Sequence, residues 1–165
     1  MPSSRAFPRV AGRQAPNYSF SLRVHAGSTY PPPFPNNALF ETSGGYIPDP
    51  SVITYDVFKP ALVAMAEAWD PVCCAAYPHA LIKPVPGGIY FHEAWIQYLC
   101  PWDASLVTPP PAPVIVEHLP NGGLLMAAAA HTFDVENSAH VAAARAIAAA
   151  IAPLNALLWA ERARA

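Results

Sequence analysis

Six histidines, three cysteines and eleven carboxylates are among the groups in this chain able to move protons, attack an electrophile or hold a metal. Their spacing assembles none of the familiar sites. His131, Asp134 and His140 sit within ten residues, which invites a metal reading. That spacing matches no standard zinc pattern, and capping at the start of a helix accounts for Asp134 and His140. His92-Glu93 lacks the second histidine, four residues on, that a zinc-protease helix requires. There is no Gly-rich loop ending in Lys-Ser/Thr, no GxGxxG and no GxSxG elbow. Catalytic, cofactor-binding and metal-binding residues are therefore assigned to none, and no cofactor is expected.

Cys73, Cys74 and Cys100 are an odd set without CxxC spacing. Adjacent side chains diverge, so Cys73 and Cys74 do not pair with each other. They read as buried thiols in a reducing compartment. A nucleophilic reading needs a histidine brought beside one of them by the fold. This gives an alternative function, a small hydrolase or transferase with His25 or His92 near Cys74, Cys100 or Glu93. The aromatic run Tyr90, Phe91, Trp95, Tyr98 and Trp102 reads as core and rim packing, or else as the platform of a small-molecule-binding module.

Charge is more informative than any motif. From Glu41 to Glu136 there are ten carboxylates and two bases, Lys59 and Lys83, a net of −8. Four arginines in the first 40 residues and an excess of two positive charges in residues 137–165 bring the total to −2. A near-neutral chain thus has an acidic body and basic ends. An acidic body repels phosphate backbones, which argues against direct nucleic-acid binding. It suits docking on a protein with a basic surface, where charge complementarity speeds association. The plainer alternative is that these carboxylates only keep the domain soluble.

The elements that would position these residues follow from periodicity and punctuation. At 165 residues the length fits one domain, since domains cluster near roughly 100–150 residues. Residues 17–26 alternate, with Tyr18, Phe20, Leu22 and Val24 on one face, and predict a half-buried strand. Residues 27–52 are rich in Pro and Gly and predict an irregular but packed excursion. Phe58, Leu62, Met65 and Trp69 trace a helical stripe over about 55–69. Pro60 places that helix's start near Asp56 or slightly before. Short β-like runs are expected at 72–77 and 79–85, then an aromatic segment at 89–99 whose part over 95–100 fits strand or helix equally. Val114-Ile115-Val116 and Leu124–Ala130 predict two strands joined at Pro120-Asn121-Gly122-Gly123, read as a type I′ hairpin turn. A terminal helix is expected from Asn137 or Ser138 toward Trp159, striped by Ala144, Ile147, Ile151, Leu154 and Leu158, and kinked or split at Pro153. The expected fold class is α+β, an antiparallel sheet of about four to six strands with two main helices packed on one face. Residues 1–16 are expected as a disordered tail and 17–160 as a single domain. No stretch approaches the roughly 18 consecutive apolar residues of a membrane helix, and Met1–Phe20 has no apolar core of a secretory signal. A soluble, cytoplasmic protein is expected.

Four segments carry a family resemblance. Asn121-Gly122-Gly123-Leu124-Leu125, His131-Thr132-Phe133-Asp134-Val135-Glu136-Asn137, His140-Val141-Ala142-Ala143-Ala144-Arg145 and Ala152-Pro153-Leu154-Asn155 resemble the C-terminal half of the immunity protein 52 family. The stretch Gly88–Trp102, with Glu93-Ala94-Trp95 and Tyr98-Leu99, fits loosely as well. The resemblance implies a non-enzymatic α+β immunity protein of polymorphic or type VI secretion toxin systems, partnered with a restriction-endonuclease-fold toxin. It implies no catalytic residues. Inhibition would then come from covering the toxin's active site or substrate channel, with carboxylates taking the place of phosphates. The expected contacts are Glu41, Asp49, Glu93, Asp103 and Glu117, chosen because they fall on loops or strand faces rather than in helix caps.

Overall fold

The computed structural model describes residues 21–25, 37–41, 52–71, 73–81 and 93–162. The chain divides into two compact units, Met1–Val52 and Ile53–Ala165. In the first, β1 (Ser21–His25) pairs antiparallel with β2 (Asn37–Glu41), Leu22 opposite Phe40 and Val24 opposite Ala38. The alternation read in the sequence thus makes a strand, while Tyr18 and Phe20 lie outside the described residues. The expectation of an irregular 27–52 is corrected, because β2 lies within it. A lone strand leaves its backbone donors and acceptors unpaired. The run Ala38-Leu39-Phe40 supplies the missing partner.

The second unit is α+β, with a four-stranded antiparallel sheet in the order β3 (Cys73–Ala76), β4 (Ile96–Leu99), β6 (Leu124–Ala127), β5 (Ile115–His118). Three helices accompany it: α1 (Tyr55–Trp69), the single turn α2 (Pro101–Ala104) and α3 (Ser138–Arg162). Helix α1 lies against β3 and β4, and α3 against β6. Every residue of β4 and β6 is buried. A strand covered on one face alternates between buried and exposed, so these two central strands are covered on both.

Local chemistry explains the elements. Helix α1 begins at Tyr55, so Pro60 falls in its second turn, where it leaves the exposed Asp56 without one helical hydrogen bond. Leu62 and Ala66 are the buried line of that helix, whereas Trp69, read as part of the stripe, is half exposed. Asp70 ends α1 in the left-handed conformation, its N–H donated to the carbonyl of Ala66. The run 79–85, read as β-like, begins instead with a 3-10 turn over His79–Leu81. Residues 82–92 lie outside the described set. The ambiguity at 95–100 resolves as strand β4 followed by α2. Two neighbouring strands hydrogen-bond β4 along its whole length, and that pairing outweighs the helical spacing of its aromatics.

The β5–β6 turn also differs from expectation. Leu119 N–H donates to Gly123 O at 2.8 Å and Gly122 N–H to Leu119 O at 2.9 Å. Of the turn residues only Gly122 has a positive φ, 84°. A type I′ turn on Asn121-Gly122 needs a positive φ at both. The observed form is a three-residue loop, a type I turn with Pro120 in its first central position and Gly122 in the left-handed position that follows. Helix α3 starts as read, with Asn137 Oδ1 accepting from Ala139 N–H at 3.0 Å. Ala144, Ile147, Ile151 and Leu154 form its buried stripe, and the helix runs through Pro153 without a break to Arg162.

Candidate partner-binding surface

The strand register gathers four pieces of chain at one end of the sheet. Cys73 pairs with Leu99 and Leu99 with Leu124, which pairs in turn with His118. Just beyond this row lie the end of α1, the turn α2 and the β5–β6 hairpin loop. The Asn121 amide donates to the Tyr98 hydroxyl at 3.1 Å and its Oδ1 accepts from Gly123 N–H at 2.9 Å, tying the loop to β4. A Cβ on Gly123 would stand 2.5 Å from Tyr98 Cε2, and one on Gly122 only 3.5 Å from Pro101. Burial, with smaller effects from neighbours that include Asp70, raises the Tyr98 hydroxyl pKa. The large apolar side chains left outward here are Trp69 at 50% exposure, Trp102 at 55% and Leu106 at 49%.

The carboxylates expected to meet a partner are placed unevenly. Glu41 ends β2 and Asp49 lies outside the described residues. Glu93 is largely buried and faces Arg145 at 3.7 Å. Glu117 on β5 is ion-paired with Lys59 of α1. Asp103 is corrected: it sits in α2, not on a loop or strand, and at 1% exposure its carboxylate is closed to a docking protein. Among the residues whose side chains are described, the exposed carboxylates are instead Asp56, Glu67 and Asp70 of α1 and its cap, and Asp134 and Glu136 ahead of α3.

The catalytic alternatives find little geometry. Burial pushes the Cys73 thiol up to about 12 and the Cys74 thiol up to about 11, which keeps both protonated and poorly nucleophilic at neutral pH. Of their proposed partners, His92 is outside the described residues and only the backbone of His25, in β1, is described. His140 is a structural residue. Its Nδ1 accepts the Asp134 N–H at 3.1 Å, and its ring lies 4.8 Å from His131 and 5.6 Å from Phe133. Asp134 closes its own turn by accepting from Glu136 N–H at 2.9 Å. Helix capping is therefore not what holds these two residues. His140 latches the loop, and Asp134 makes an Asx-turn. Among the described residues no group of three His, Cys, Asp or Glu side chains could hold a metal ion.

Nor do the aromatics make one platform. Trp95 and Tyr98 are buried, Trp95 donating to Ala129 O at 3.0 Å and packing on Phe58 at 5.4 Å, while Trp102 points outward. Tyr90 and Phe91 are outside the described residues. The outward Trp69 and Trp102 were missed in the sequence because each has apolar neighbours at helix or strand spacing and so read as packing.

No helix of the described residues is long and apolar enough to cross a membrane. No curated protein and no solved structure matches the chain significantly. The model of one family, immunity protein 52, matches residues 10–158. That match extends the resemblance seen in the C-terminal segments over most of the 165 residues. The chain belongs to the immunity protein 52 family.

Proposed function

We propose that this protein binds a cognate toxin, a restriction-endonuclease-fold nuclease of a polymorphic or type VI secretion system. It neutralises the toxin by covering the active site or the substrate channel. The observation that carries this reading is the family match over residues 10–158. The charge pattern supports the nuclease half of it, because a channel that binds DNA must be basic and the body of this chain, Glu41–Glu136, carries a net −8. The protein acts in the cytoplasm, where a nuclease would reach chromosomal DNA, and it has no catalytic activity of its own. Glu41 and Asp49 remain proposed contacts. Glu93 and Glu117 serve only if a partner's base displaces Arg145 or Lys59.

The test is a mixing experiment with the toxin domain encoded beside this chain. The two proteins should co-elute as a complex, and the complex should no longer cleave plasmid DNA. Separate elution with undiminished cleavage would overturn the proposal.

A further inference from the structure

The toxin-binding reading leaves open which surface docks, and the end of the sheet beyond Leu99 has the required character. Trp69, Trp102 and Leu106 are the three most exposed large apolar side chains among the described residues. They come from the last residue of α1, from α2 and from the turn after it. Trp95, in the same fold, is buried with its indole N–H satisfied, so the fold has a way to bury a tryptophan and does not use it for these two. Half-exposed indoles have a cost in water, whereas tryptophan is among the residues that dominate protein–protein binding energy.

The scaffold beneath them is fixed. Asp70 N–H closes the end of α1 on Ala66 O, and Ser105 N–H closes α2 on Pro101 O and Trp102 O. Tyr98, Asn121 and Gly123 lock the hairpin loop alongside. Side chains held on such a frame lose little freedom on binding, which favours affinity.

Charge decides the kind of partner. Asp70 is exposed directly after Trp69, and Glu67 is exposed about half a turn away round α1. Between Lys59 and Arg145 the sequence contains one base, Lys83. A nucleic acid could stack on indoles, but these carboxylates repel its phosphates. A second copy of this acidic body is disfavoured for the same reason. We infer that the Trp69–Trp102–Leu106 surface, edged by Asp70, is where the toxin docks. The indoles enter apolar pockets beside a cluster of Lys and Arg on the toxin, and the carboxylates steer the approach.

This inference rests on the toxin-binding reading, and the experiment separates the two. Dissociation constants and association rates are measured between the toxin domain encoded beside this chain and the wild type, Trp69→Ala, Trp102→Ala, the double variant Glu67→Gln/Asp70→Asn, and Tyr77→Ala as an exposed aromatic elsewhere. Circular dichroism confirms that each variant is folded, which their exposure favours. Each Trp variant should weaken binding by about tenfold or more, mainly through faster dissociation. The charge variant should lower the association rate and flatten its salt dependence. Tyr77→Ala should bind as wild type. Wild-type affinity in both Trp variants would overturn this surface while leaving the toxin reading intact. Failure of the wild type to bind would overturn both.

Discussion

Cys73 and Cys74 follow one another in β3, and both thiols are held well above the ordinary value of 9.0 by burial, with Asp103 and Cys100 adding to the effect at Cys73. In a Cys100→Ser variant, a thiol reagent at pH 8 should label the folded protein far more slowly than the unfolded chain. Equal rates would show the thiols to be open. The same shift has a sign for stability. Above pH 9 the unfolded chain loses thiol protons that the folded chain keeps, so the unfolded state binds fewer protons and stability falls as pH rises toward 11. Melting temperature measured across pH 8–10.5 should decline more steeply in the wild type than in Cys73→Ser. At Gly123 the constraint is steric. Tyr98 is fully buried and its hydroxyl is tied to Asn121, so it cannot yield to a methyl group 2.5 Å away. Gly123→Ala should cost roughly 1–3 kcal/mol, read from the denaturation midpoint. No spacing rule reveals this, because a glycine after Asn-Gly looks like ordinary turn chemistry until the fold lays a tyrosine ring across it.

At the scale of elements, local signals were legible where they act locally. Asn137 caps α3 as its side chain predicts, and Asn137→Ala should cost roughly 1 kcal/mol in urea denaturation with an unchanged m-value. A variant as stable as wild type would show the cap to be idle. His140→Phe keeps the ring packing against Phe133 but leaves the Asp134 N–H without its acceptor, and should speed amide exchange at Asp134 more than within α3. The elements that the sequence left open were those settled by partners far along the chain. Tyr98 and Leu99 are a strand because Cys73–Cys74 and Leu124–Leu125 pair with them on either side. Ala38–Phe40 became a strand by pairing with β1, although prolines and glycines surround the run. The β5–β6 loop shows a local signal misread in detail: Asn-Gly announced a hairpin correctly, but Pro120 ahead of it set a type I turn in which Gly122 is left-handed and Asn121 is not.

For the whole molecule, the sequence located the charge asymmetry but not which carboxylates face out. Asp103 turned inward, Glu93 and Glu117 were drawn into pairs with Arg145 and Lys59, and the exposed acids among the described residues are divided between α1 with its cap and the turn ahead of α3. Surface ion pairs are worth little to stability, so Glu117→Gln should cost under about 1 kcal/mol. Family membership was legible because its residues recur along the chain at 121–155. The docking surface was not, because exposure depends on the assembled sheet.

If this protein covers the active site or the substrate channel of a nuclease toxin, it competes with the DNA that the toxin binds. A cleavage-dead variant of the toxin encoded beside it, bound to fluorescent DNA, tests this directly. Adding the protein should displace the DNA competitively, with anisotropy returning to the free-DNA value as one equivalent is reached. A ternary complex in which toxin, DNA and protein coexist, or anisotropy that does not change, would rule out inhibition by this competition.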